Sequence, residues 1–144
     1  MGLIDTVTAW IGNQPTITLE QEPARGTGDA ALRALIAELR EAIPMQRRGG
    51  GTRTLDCVLA AKVLEDCGDI LVQTFGEPVK SFGQRVKFAP ELRERIDSKG
   101  GIAKNQCLFL RRFEDGRIAF AALWPWAGCE DVTLKIGLYD EPPT

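Results

Sequence analysis

The pair Asp115-Gly116, set between two apolar runs, is the feature that most constrains how this chain can fold. Cys107-Leu108-Phe109-Leu110 leads into it, and Ile118-Ala119-Phe120-Ala121-Ala122-Leu123-Trp124 leads away. Glycine takes the positive φ that a tight turn demands, so Asp-Gly between apolar segments signals a β-hairpin. Pro125 has no amide proton to give to a ladder and must end the pairing or sit at an edge. A further strand follows over 132–139, where Val132, Leu134, Ile136 and Leu138 share one face by strict alternation. The C-terminal part of the chain is therefore expected to be an antiparallel sheet.

The upstream part reads as helical. Leu32, Leu35, Ile36, Leu39 and Ile43 recur at helical spacing after Asp29, and Pro44 ends the run. Leu32, Ile36, Leu39 and Ile43 fit either a short coiled-coil seam or a stripe facing the domain's own core. Residues 46–53, with three successive glycines, read as a flexible joint; they lack the Lys-Ser/Thr ending of a phosphate-binding loop. The longest expected helix runs from Thr52 or Thr54 to about Phe75, with Leu55, Leu59, Val63, Cys67, Ile70, Leu71 and Phe75 on its apolar face and Gly76 as its C-terminal cap. Pro90 opens a shorter helix to Ile96. Leu3, Val7, Trp10 and Ile11 suggest an N-terminal docking helix, followed by a linker with an edge strand near Thr16–Leu19. The expected fold class is α+β: N-terminal helices, paired as a hairpin and able to dimerise, followed by a small antiparallel β-sheet domain. That divides the chain into an arm at 1–28, a helical region at 29–76 and a β-rich region at 77–144.

Composition narrows the chemistry. The chain has 144 residues, a net charge of −2, four cysteines and no histidine. That charge gives no overall attraction to nucleic acid or to an anionic membrane. Cys57, Cys67, Cys107 and Cys129 form no C-x-x-C pair, so neither a metal nor a cofactor is expected. Reduced thiols and the lack of a leader or spanning segment point to a cytoplasmic protein. General acid–base work favours histidine or paired carboxylates, and Glu38, Glu41, Glu65, Asp66 and Asp69 fall on solvated helix faces. A thiol nucleophile at Cys57 or Cys107 is the enzymatic alternative. The non-catalytic reading rests instead on Trp124-Pro125-Trp126, which can form an exposed recognition plate or cap the core. Arg111, Arg112 and Arg117 flank the hairpin tip, ready for an acidic partner surface or paired with Glu114 and Asp115.

Between about residues 66 and 124 the order of motifs resembles the GrpE family, the nucleotide exchange factors of DnaK-type chaperones. Phe75-Gly76-Glu77-Pro78-Val79 is similar to the family's helix-ending step. Phe88-Ala89-Pro90-Glu91-Leu92-Arg93-Glu94 keeps the Phe, Pro and Glu of its next motif, with Ala89 and Arg93 where the family has Asp and His. Gly116-Arg117 matches a step of its β domain, Ala122 falls near the family's Ala and Phe113 near a Tyr position, while the family's Gly before that Tyr and its Arg-Pro pair are absent. The resemblance implies a homodimer formed through helices, with Leu59 and Val63 joining Leu32, Ile36, Leu39 and Ile43 in the packing. It further implies a β domain that wedges open the nucleotide-binding domain of a DnaK-type ATPase, with no bond made or broken. A small adaptor or secretion-type chaperone that binds a partner polypeptide is the alternative.

Overall fold

The computed structural model describes residues 15–19, 21–128 and 130–139. The expected docking helix at Leu3–Ile11 lies outside them, as does Cys129. Elements follow in the order β1 (Thr16–Ile17), α1 (Gly28–Ala42), β2 (Gln46–Gly50), β3 (Leu55–Ala60), α2 (Leu64–Phe75), β4 (Lys87–Phe88), α3 (Pro90–Ser98), β5 (Cys107–Arg112), β6 (Ile118–Pro125) and β7 (Asp131–Leu138). A single 3₁₀ turn, Ala61–Val63, links β3 to α2. β1 and β4 form a small parallel pair, and the other strands form one antiparallel sheet in the order β2-β3-β7-β6-β5.

The class remains α+β, but helices do not precede the sheet as a block. One described helix, α1, comes before the first hairpin, and the expected helix from residue 53 to 75 is instead a strand, a 3₁₀ turn and a 12-residue helix. The reason lies in residues 55–60. Leu55 and Leu59 lie four residues apart, as on a helix face, yet Leu55, Cys57 and Leu59 also alternate, and a short apolar run fits both periods. The fold resolves the choice in favour of pairing. β3 is hydrogen-bonded to β2 on one side and β7 on the other, with Leu55, Cys57 and Leu59 opposite Ile136, Leu134 and Val132. The glycine run is accordingly a hairpin and no loose joint. The Gly51 amide donates to the Thr54 carbonyl at 3.0 Å, and Gly50 sits at φ +103° with its would-be Cβ against Thr54 and Leu55 backbone. The boundary drawn at residue 76 therefore falls between strands of one sheet.

The two faces of the sheet are covered differently. α1 and α2 lie on one face, where Leu32, Ile36, Leu39 and Ile43 join Cys67, Leu71 and Phe75 over Leu55, Cys57, Leu59, Phe109, Leu134 and Ile136. Ala119 and Ala121 keep the floor shallow there, and both are fully buried. α3 covers only part of the opposite face, where Leu92 and Ile96 pack on Leu108, Leu110, Ile118 and Tyr139. At the hairpin tip, Asp115 Oδ2 accepts the Gly28 amide at 3.2 Å and Glu114 Oε2 the Gly26 amide at 3.0 Å. Those carboxylates thus face the N-terminal end of α1, where unpaired amides favour negative charge. The β5 edge is closed by main-chain bonds from Ala24, Val79 and Lys80, whereas β2 is exposed throughout.

Candidate functional site

Because α3 is short, the sheet beyond it is left open. A groove of about 360 Å³ runs between the end of α3 and strands β6 and β7. Ile96 and Ile102 form one wall, Phe120, Trp124 and Tyr139 the floor, and Lys99 and Lys135 stand at its rim. α3 stops at this point through two successive left-handed glycines, Gly100 at φ +99° and Gly101 at +76°, whose amides return to Asp97 and Ile96 carbonyls. Strand alternation does the rest: Ile118, Phe120, Ala122 and Trp124 face this side, as do Thr133, Lys135 and Gly137 across the ladder.

The floor is built by close approach. Phe120 stacks on Tyr139 with centroids 4.5 Å apart and planes 19° from parallel. Gly137 lies opposite Phe120, and a Cβ there would stand 3.2 Å from Phe120 Cε2, so the glycine is what lets the ring lie on the sheet. Lys135 Nζ sits 5.6 Å from the centre of the Trp124 ring, within cation–π range. Next to these, Trp126 Nε1 donates to Thr133 Oγ1 at 2.8 Å, and its amide donates to the Asp131 carbonyl. The indole is thereby held over the sheet although Trp126 is 43% exposed. A large aromatic that is exposed yet fixed loses little freedom on binding, which favours a contact surface. Lys99 and Lys135 are the charged residues lining the groove, and Asp56 lies opposite Lys135 across the ladder.

The residues expected to bind a partner separate under this geometry. Trp124 and Trp126 come together on the open face. The arginines do not join them as one patch. Arg111 lies opposite Ala119 on the α1–α2 side, with Nη2 bonded to the Glu22 carbonyl and Nε buried without a partner. Arg112 lies opposite Ile118 on the α3 side, with Nη2 3.8 Å from Glu91 Oε1. Arg117 stands at the hairpin tip beside Gly28. The helix-packing set is covered by its own chain: Leu32, Ile36, Leu39 and Ile43 are at most 4% exposed, Leu59 is a core residue of β3, and Val63 is half-buried at the end of the 3₁₀ turn. Sequence reasoning missed Phe120, Lys135, Gly137 and Tyr139. The alternation of β7 carried the signal, since a face defined by Val132, Leu134, Ile136 and Leu138 leaves Lys135, Gly137 and Tyr139 on the other.

The three described thiols, Cys57, Cys67 and Cys107, are all buried. Burial pushes Cys57 and Cys107 up to about 11 and Cys67 up to about 12. Asp56 adds to the effect at Cys57, and Lys80 partly opposes it at Cys107. A reactive thiol needs the opposite shift. Lys80 is itself 2% exposed; its ammonium donates to the carbonyls of Ser81, Lys104 and Gln106, which uses all three of its protons. It ties two loops together, and burial lowers its pKa. Among the described residues no cluster of three or more His, Cys, Asp or Glu could hold a metal ion, and no helix is long and apolar enough to cross a membrane. No family model matches the chain, and neither a curated protein nor a solved structure matches it.

Proposed function

We propose that this chain is a non-catalytic binding module that holds a partner polypeptide against the open face of its sheet. The observation that supports this most directly is the aromatic surface formed by Phe120, Trp124 and Trp126, left uncovered by α3 and fixed in place by Thr133 and Gly137. Binding hot spots favour tryptophan in settings of this kind. Burial raises the pKa of Cys57, Cys67 and Cys107, which weighs against the thiol-nucleophile alternative at Cys57 and Cys107.

The test is affinity capture from the source cell with the intact protein and with Trp124→Ala and Trp126→Ala. A specific polypeptide recovered by the native chain and lost with either variant supports the reading. Recovery unaffected by both variants sinks it. The narrower form suggested by the GrpE resemblance has its own readout: faster ADP release from a DnaK-type ATPase when the protein is added. No acceleration with any such ATPase of the same cell would leave the adaptor or secretion-type chaperone form standing.

A further inference from the structure

We propose that the groove takes an aromatic side chain of the partner polypeptide whose neighbouring residue, one or two places along, carries a carboxylate. The inference rests on the binding-module reading and gives its site a recognition chemistry. Shape supplies the first part. At about 360 Å³ the groove is at the small end of ligand sites, sized for one ring and the main chain beside it. Its floor presents Phe120 and Trp124, and a third ring can meet them edge-on or offset at ordinary aromatic spacing.

Charge supplies the second part. Lys135 stands at the rim over Trp124. Its cross-strand neighbour Asp56 is not within ion-pair distance, and Asp56 Oδ1 itself has no hydrogen-bond partner. The lysine ammonium is therefore available to an incoming anion. Tyr139 lines the same groove with its ring stacked on Phe120, which adds to the aromatic floor. A basic segment would meet Lys135 at like charge. A second copy of this chain brings the same lysines and is disfavoured by like-charge repulsion.

The experiment titrates the intact protein with peptides sharing one Gly/Ser frame and differing at the centre: Asp-Phe-Glu, Asn-Phe-Gln, Lys-Phe-Lys or Asp-Ala-Glu. The amide resonances of Lys135 and Gly137 and the indole resonance of Trp124 report binding. The acidic aromatic peptide should bind about tenfold more tightly than the neutral one, as expected for a charge-assisted pair. The basic and alanine peptides should be weaker still. Lys135→Gln should bring the acidic peptide toward the neutral one without altering the circular dichroism spectrum. Equal binding of acidic and neutral peptides, retention with alanine, or no shift with any peptide would overturn the inference. A flat peptide ranking alongside tryptophan-dependent capture removes the recognition chemistry and leaves the module reading intact. The predicted ranking alongside capture that ignores both tryptophans does the reverse.

Discussion

At the scale of single residues, the groove depends on a side chain that is missing. Gly137 allows Phe120 to lie flat, and an added Cβ would approach its ring carbons at 3.2 and 3.3 Å. Phe120 is only half-buried and borders open space, so it can yield. Gly137→Ala should therefore cost less than about 1 kcal/mol in urea unfolding, below the usual range for overpacking a sealed core. The displaced ring should still change the near-ultraviolet circular dichroism and weaken groove binding. A loss well above that figure would mean the ring is locked. The thiols give a second prediction at this scale. Cys57, Cys67 and Cys107 have folded pKa values near 11, 12 and 11 against a reference of 9.0. An unfolded thiol ionises first, so the stability held below pH 9 is lost as pH rises toward 11. Tyr139, also raised by burial, acts in the same direction above its ordinary value. The urea midpoint should stay level from pH 7 to 8 and fall through the window above pH 9. Iodoacetamide should label these three cysteines slowly in the native state at neutral pH, and fast labelling of any one would return thiol chemistry to consideration.

At the scale of elements, β3 separates what a sequence can disclose from what it cannot. Gly76 caps α2, with φ +77°, and Pro90 begins α3; both boundaries are legible because backbone chemistry is local. The Asp115-Gly116 hairpin and the alternation of β7 were legible for the same reason. Leu55–Ala60 was not, because its two flanking strands, β2 and β7, lie on either side of it in sequence, and β7 is more than 70 residues away. A buried central strand loses the one-sided alternation that marks an edge strand, and Val58 is 8% exposed on the face opposite Leu55, Cys57 and Leu59. The Trp124–Trp126 pair was visible as a candidate, but the split of Arg111 from Arg112 required knowing which strand faces which layer. The placement of β3 predicts a contrast between two proline substitutions. Val58→Pro should cost about 3 kcal/mol or more, since it strikes a strand paired on both sides. Arg48→Pro falls at the register shift in the exposed β2 edge and should cost much less. Comparable losses in thermal unfolding would contradict the strand order.

At the scale of the whole molecule, one sheet joins parts of the chain that composition would separate. Removing residues before 77 would strip α1, β2, β3 and α2 from a sheet whose remaining strands are β5, β6 and β7. β7 would become a bare edge, and Leu134, Ile136, Ala121 and Phe109 would lose the helices that bury them. Three strands backed by the nine-residue α3 keep a core only on the groove side, around Leu108, Leu110, Ile118 and Tyr139. Small domains already have little stability to spare, and a layer lost from one face exposes apolar surface worth tens of calories per mole for each square ångström. A fragment spanning 77–144 should therefore fail to give a dispersed amide spectrum, whereas the intact chain should unfold in one cooperative transition. The same argument bears on assembly. Leu32, Ile36, Leu39 and Ile43 serve this protomer's core, so a dimer built on that stripe would have to withdraw them from the sheet. Leu39→Ala should lower stability by about 2–5 kcal/mol whatever the protein concentration, because the cavity opens inside one chain. A loss that shrinks as concentration rises would instead reveal that the stripe is shared between copies.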